Sequence, residues 1–147
     1  MNLSMKDLKS EDVDELYGLI LSVAFAIYVE GWKWFEFPNT TTPILLLDAP
    51  LPANKVPDKD CGRYVGDNYY VFKDLPKYHE SLRRMNEHGQ KLLDAGYVWD
   101  YCRYIEEELK TSDHAQLLHC SAETRCRAIL KLYLDNPQIM KEMEIKK

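Results

Sequence analysis

Apolar residues are densest between Glu11 and Phe37, and their spacing there changes from a helical to a strand period. Val13, Leu16, Tyr17, Ile20, Ala24, Ile27 and Tyr28 recur at the i, i+3, i+4, i+7 spacing of one helix face. From Leu19 onward the opposite side is apolar as well (Val23, Phe25, Ala26), so the predicted helix should enter a core or an interface at its C-terminal half. Ser10 is the expected N-cap, with Glu11, Asp12, Asp14 and Glu15 where the helix dipole favours negative charge. Gly31 suits the left-handed position that ends a helix. Trp32 to Phe37 then alternates as a strand, with Trp32, Trp34 and Glu36 on one face and Lys33, Phe35 and Phe37 on the other, until Pro38 stops it.

Five of the seven prolines fall within 38–60 (Pro38, Pro43, Pro50, Pro52, Pro57), which excludes a helix there. This stretch reads equally as a functional loop or as a tolerated insertion, with Ile44 to Leu47 as an edge strand or an apolar pin. A hairpin is expected where Arg63-Tyr64-Val65 and Tyr69-Tyr70-Val71-Phe72 flank Gly66-Asp67-Asn68. Asp74 then caps a predicted helix whose buried side is Tyr78, Leu82, Met85, Leu92 and Leu93, ending at Gly96. Val98, Tyr101, Cys102, Ile105 and Leu109 mark another helix, broken at Thr111-Ser112-Asp113. Ser121 caps one more, with Cys126, Ile129, Leu130 and Tyr133 inward and Asn136-Pro137 as its stop. Residues 138–147 form a charged tail with a further turn or two of helix.

A chain of 147 residues is expected to make one domain spanning 1–147. Its net charge of −5 gives no electrostatic help in binding nucleic acid, which usually meets a basic patch. The Leu19–Val29 run is well short of the roughly 20 residues a membrane span needs, and no secretory pattern precedes it. Four cysteines without paired spacing point to reduced thiols and a cytoplasmic setting. The ten tyrosines and three tryptophans fit a core or a binding surface equally.

The chemistry-bearing groups are sparse. His114, His119, Cys120 and Cys126 could ligate a metal, but their spacing matches no zinc motif, and no metal or cofactor is expected. No local signature pairs a cysteine with a histidine for nucleophilic catalysis, and Glu106-Glu107-Glu108 splays around a helix instead of converging as an acid–base pair. Phosphate loops and nucleophile elbows are missing from the sequence, so no enzyme is expected. Two binding surfaces remain. Trp32, Trp34, Tyr64, Tyr69 and Tyr70 on neighbouring strands could form an aromatic platform for a base; Arg83 and Arg84 with His79, Lys77 and Lys91 could meet a phosphate. For each the plainer reading, a packed core or a solvated helix face, stands beside it.

The helix followed by Gly31-Trp32-Lys33-Trp34 and a proline-rich stretch resembles the small tailed-phage and prophage proteins of the phage ABA-sandwich family. The segments Asp74-Leu75-Pro76-Lys77-Tyr78, Ser81 to Glu87, and Ser121 to Leu130 are similar to the later part of such proteins. The 38–60 stretch, Cys126 and the charged tail depart from the pattern. The resemblance implies an α+β domain in which a small antiparallel sheet lies between helices, a layered α/β/α sandwich. It brings no catalytic residues. What it implies about biology is a non-enzymatic accessory protein that binds and inhibits a bacterial host defence component in the host cytoplasm, in the manner of an anti-CRISPR inhibitor. The alternative is a binder that sequesters a nucleotide signal. A homodimer is also expected to be possible, through the all-round apolar end of the first helix.

Overall fold

The structure is a computed structural model that describes residues 8–35, 45–47, 62–65, 69–72, 75–111 and 113–145, the strands by their backbone alone. A 3-10 turn, Ser10–Glu15, leads into α1 (Gly18–Tyr28). Four short strands follow: β1 (Lys33–Phe35), β2 (Leu45–Leu47), β3 (Gly62–Val65) and β4 (Tyr69–Phe72). A second 3-10 turn, Tyr78–Glu80, precedes α2 (Leu82–Asp94), α3 (Val98–Leu109), α4 (His114–Leu118), α5 (Ala122–Asp135) and α6 (Gln138–Ile145).

The expected α+β sandwich is overturned. Residues whose side chains are described belong to helices and their connections, with no strand or sheet among them, and the described part is helix-rich. The core is helix packed on helix: α5 lies against the first 3-10 turn, α1, the second 3-10 turn and α3. The strands pair by backbone in the order β1-β2-β4-β3 and make their extensive described contacts with one another, so they are no layer between helices. Nor is the pairing antiparallel throughout, because β2 runs parallel to β4. Leu45–Leu47 stands between β1 and β4, not at an edge. The remainder of the 38–60 stretch lies outside the described residues.

The single long helix expected from Glu11 is two pieces. Lys9 N–H donates to Asp12 Oδ2 at 3.0 Å, so Asp12, and not Ser10, closes the 3-10 turn. Leu16 and Tyr17 are extended, and Gly18 takes a left-handed φ of 60° where the chain swings into α1. That swing leaves Tyr17 exposed although it falls on the predicted stripe. Leu21 to Ala26 are buried all round, and they are covered within one chain. Gly31, at φ 77°, turns the chain so that Trp32 N–H donates back to Ala26 O at 2.9 Å.

The helix expected to begin at Asp74 begins at Leu82. Ser81 is its cap, accepting from Arg84 N–H at 3.2 Å, and the second 3-10 turn, Tyr78–Glu80, stands just before it. Its buried side is Met85, His88 and Leu92, while Leu82 and Leu93 are half-exposed. Ser121 caps α5 as expected, and Cys126, Ile129, Leu130 and Tyr133 are buried on it. The tail docks through Ile139, which is fully buried on α6. Among the described residues no helix is long and apolar enough to cross a membrane.

Candidate interaction site

The residues singled out for binding do not gather. Trp32 is buried in the core, where its large apolar area stabilises packing and offers nothing to a ligand. Trp34 lies on β1 opposite Leu46, Tyr64 on β3 opposite Tyr70, and Tyr69 on β4 opposite Val65; their side chains lie outside the described residues. His79 is buried, and its Nδ1 lies 2.7 Å from Ser22 Oγ, which also accepts the His79 backbone N–H at 3.3 Å. This pair fastens the second 3-10 turn onto the buried face of α1. Arg83 is exposed and pairs with Glu87 at 3.9 Å, while Arg84 stands over the Tyr78 ring at 5.8 Å. His79, Arg83 and Arg84 thus have three separate surroundings, and no phosphate cradle is formed from them.

The histidine–cysteine cluster also separates. His119 is exposed, Cys120 and Cys126 are buried, and the His114 side chain lies outside the described residues. Among the described residues no three potential ligands converge on a metal position. Burial pushes the Cys126 thiol up, which disfavours the thiolate that nucleophilic chemistry needs. The three consecutive glutamates differ in surroundings: Glu107 is exposed, whereas Glu108 turns against Lys131 Nζ.

Two groupings escaped sequence reasoning. In the first, Tyr133 Oη lies 2.8 Å from His88 Nε2, and His88 Nδ1 lies 3.8 Å from a Glu30 carboxylate oxygen. The His88 ring meets Phe25 edge-on at 5.7 Å, and Phe25 in turn meets Tyr78 at 4.7 Å. With the phenol as donor, the imidazole proton sits on Nδ1 and faces Glu30. Burial, then the Glu30 charge, pushes the Tyr133 phenol up and keeps it protonated. A carboxylate–imidazole–phenol chain of this kind resembles catalytic arrangements. Tyr133 and His88 are both buried here, and the chain joins Glu30, just past the end of α1, to α2 and α5. The signal was present in the sequence: His88 follows Met85 by three residues and precedes Leu92 by four, on the buried stripe.

The second grouping lies on the surface. Leu82, Asn86, Gly89 and Leu93 recur at i, i+4, i+7, i+11 and form one flank of α2. Leu82 and Leu93 are 48% and 47% exposed, and Trp99, in the first turn of α3, is 83% exposed. Asn86 Oδ1 accepts from Arg125 Nη1 at 2.7 Å, while Arg125 Nε–H donates to Cys120 O at 3.3 Å. Gly89 lets α3 approach closely: a Cβ there would stand 3.2 Å from Tyr101 Cε2. The Tyr101 ring is buried, and its hydroxyl has no hydrogen-bond partner. Burial pushes that phenol up, and the Arg125 charge opposes the shift.

No family model, curated protein or solved structure matches this chain.

Proposed function

We propose that this protein works by binding another protein and catalyses no reaction, and that the α2–α3 hairpin is the surface it uses. The observation that carries this reading is the distribution of exposed large hydrophobics. Among the described residues there are four, and Leu82, Leu93 and Trp99 all fall on α2 and the first turn of α3. The fourth, Tyr17, lies under the Arg127 guanidinium, 4.7 Å from its ring centroid. Exposed Trp and Leu that the chain itself leaves uncovered are what an interface centre requires, because their burial on binding supplies most of the affinity. The buried tie of His88 and Tyr133 offers no comparable access to a substrate.

The biological setting follows the sequence resemblance: a phage or prophage accessory protein acting in the host cytoplasm, with a bacterial defence component as the protein inhibited. Capture from bacterial lysate tests it, using wild type beside Leu93→Asp and Trp99→Ser. A specific protein retained by wild type and lost by both variants, with their thermal midpoints unchanged, is the expected result. Equal capture by all three removes the hairpin from the reading. Sequestration of a nucleotide signal has no observation in its favour, since Trp32 and His79 are buried and Arg83 and Arg84 face different partners.

A further inference from the structure

We infer that the outward face of α3, from Trp99 to Glu107, docks a basic helical segment of the protein partner, which lays one arginine or lysine over the Trp99 indole and a second beside Glu106 and Glu107. This rests on the protein-binding reading above and adds the chemistry of the partner. The aromatic comes first. Trp99 is the most exposed large hydrophobic among the described residues. Of the aromatic side chains, tryptophan offers a cation the most favourable ring face. Three tyrosines already have a guanidinium of this chain over their rings: Tyr78 under Arg84, Tyr104 under Arg103 and Tyr17 under Arg127. Among the described residues no cation stands over Trp99, although Arg103 follows it one turn later on the same helix. Arg103 is engaged elsewhere, 5.5 Å from the Tyr104 ring centroid and 3.7 Å from an Asp100 carboxylate oxygen. These tyrosine faces are filled from within, and the tryptophan face is left for a cation from outside.

The charge comes second. Trp99, Glu106 and Glu107 recur at i, i+7 and i+8, so they share the side of α3 turned away from the buried Tyr101, Tyr104 and Ile105. Among the described residues neither glutamate pairs with a cation, in contrast to Asp100 with Arg103 and Glu108 with Lys131 on the same helix. Lys110, also on this side, lies past the last turn at a left-handed φ of 55°. The two free carboxylates therefore follow the open indole by about 10 Å along the helix axis. A partner helix laid along α3 reaches both points with basic residues at i and i+7, which fall on one of its own faces. The net charge of −5 favours the approach of such a segment. A nucleic acid does not fit this face, because the same carboxylates repel its phosphates.

Panning a displayed library of helical peptides against the intact chain tests the inference. The expected winners carry Arg or Lys at positions two turns apart. Trp99→Leu keeps an apolar side chain but removes the π face, and it should weaken these peptides about fivefold. Glu106→Gln combined with Glu107→Gln should weaken them by a similar factor and flatten the dependence of their affinity on salt. None of the three side chains belongs to the buried core, so the thermal midpoints of both variants should match wild type. Winners without a basic residue, or basic winners that bind both variants as tightly as wild type, overturn the basic recognition. If such winners are nevertheless lost in Trp99→Ser or Leu93→Asp, the protein-binding reading stands without it. A panning that yields no peptide dependent on Trp99 or Leu93 removes both.

Discussion

Helices α2 and α5 are alike in local terms and opposite in role. They have 13 and 14 residues, and each starts from a serine whose hydroxyl accepts the N–H three residues on. Yet α5 buries Ala122, Cys126, Ala128, Ile129, Leu130, Leu132 and Tyr133, whereas α2 buries only Met85, His88 and Leu92. Capping and propensity make both helices; the neighbours decide what each is for. The first 3-10 turn, α1, the second 3-10 turn and α3 close over α5, so its apolar side chains are removed from water and stabilise the fold. On α2, two leucines are left half in solvent. Buried apolar surface is concentrated in one helix and exposed apolar surface in the other.

The sharpest way to break that comparison is to remove equal side chains from both. Leu130→Ala empties a fully buried position and should destabilise by about 2–5 kcal/mol, read from the midpoint of urea unfolding. Leu93→Ala should change stability by no more than about 0.5 kcal/mol, since the side chain is 47% exposed. Comparable losses at the two positions would mean that α2 is as much a structural helix as α5.

A second, smaller contrast sharpens it at the level of single hydroxyls. Tyr133 on α5 and Tyr101 on α3, against α2, are both buried, but only Tyr133 has a hydrogen-bond partner, His88 Nε2. Tyr133→Phe therefore removes the hydroxyl bonded to a buried imidazole and should cost about 1–3 kcal/mol. Tyr101→Phe removes a donor that has no acceptor, so it should be neutral or slightly stabilising. Thermal unfolding of the two variants side by side checks both, and a destabilised Tyr101→Phe would show that its hydroxyl already has a partner.

The same two helices show where the sequence was legible. Most of α5 was: Ser121, the stripe of Cys126, Ile129, Leu130 and Tyr133, and the Asn136 stop follow from spacing and capping, whereas burial of Ala122, Ala128 and Leu132 depends on neighbours that cover more than one face. For α2 the cap moved from Asp74 to Ser81 and the buried side from Leu82 and Leu93 to His88, since apolar residues kept for the surface are indistinguishable in sequence from core residues. Gly18 inside an apolar run was the overlooked punctuation that divides the first helix. The sandwich failed for a different reason. It was implied by the resemblance, whose short motifs do not encode that helices find a core in one another. Sites such as Arg125–Asn86 and His88–Tyr133 join residues 39 and 45 positions apart, and no local pattern encodes them.

The smallest expected effect concerns how the N-terminal turn is held to α5. Lys131 Nζ bonds Asp14 Oδ1 at 2.9 Å and also pairs with Glu108 on α3. Burial works against the Asp14 carboxylate, but the bond and charge of Lys131 outweigh it and hold this carboxyl below its ordinary value. Burial likewise opposes the Lys131 charge, and its bonds to Glu108 and Asp14 outweigh that and push it up. A carboxyl depressed in the folded state adds stability that is present above its unfolded value of about 3.9 and is lost as pH falls through the folded one. A raised lysine adds stability that is complete below its unfolded value of about 10.4 and is lost as pH rises through the folded one. The Asp14 side chain is 61% exposed, so water and salt screen the pair. Asp14→Asn should therefore cost about 0.2–1 kcal/mol near pH 7. The gap from wild type should hold through the neutral range, close at acid pH as Asp14 protonates, and close again at strongly alkaline pH as Lys131 loses its proton. Urea midpoints of the two proteins measured across that range decide it: a gap that stays constant down to acid pH would show that Asp14 acts through packing and not through its charge.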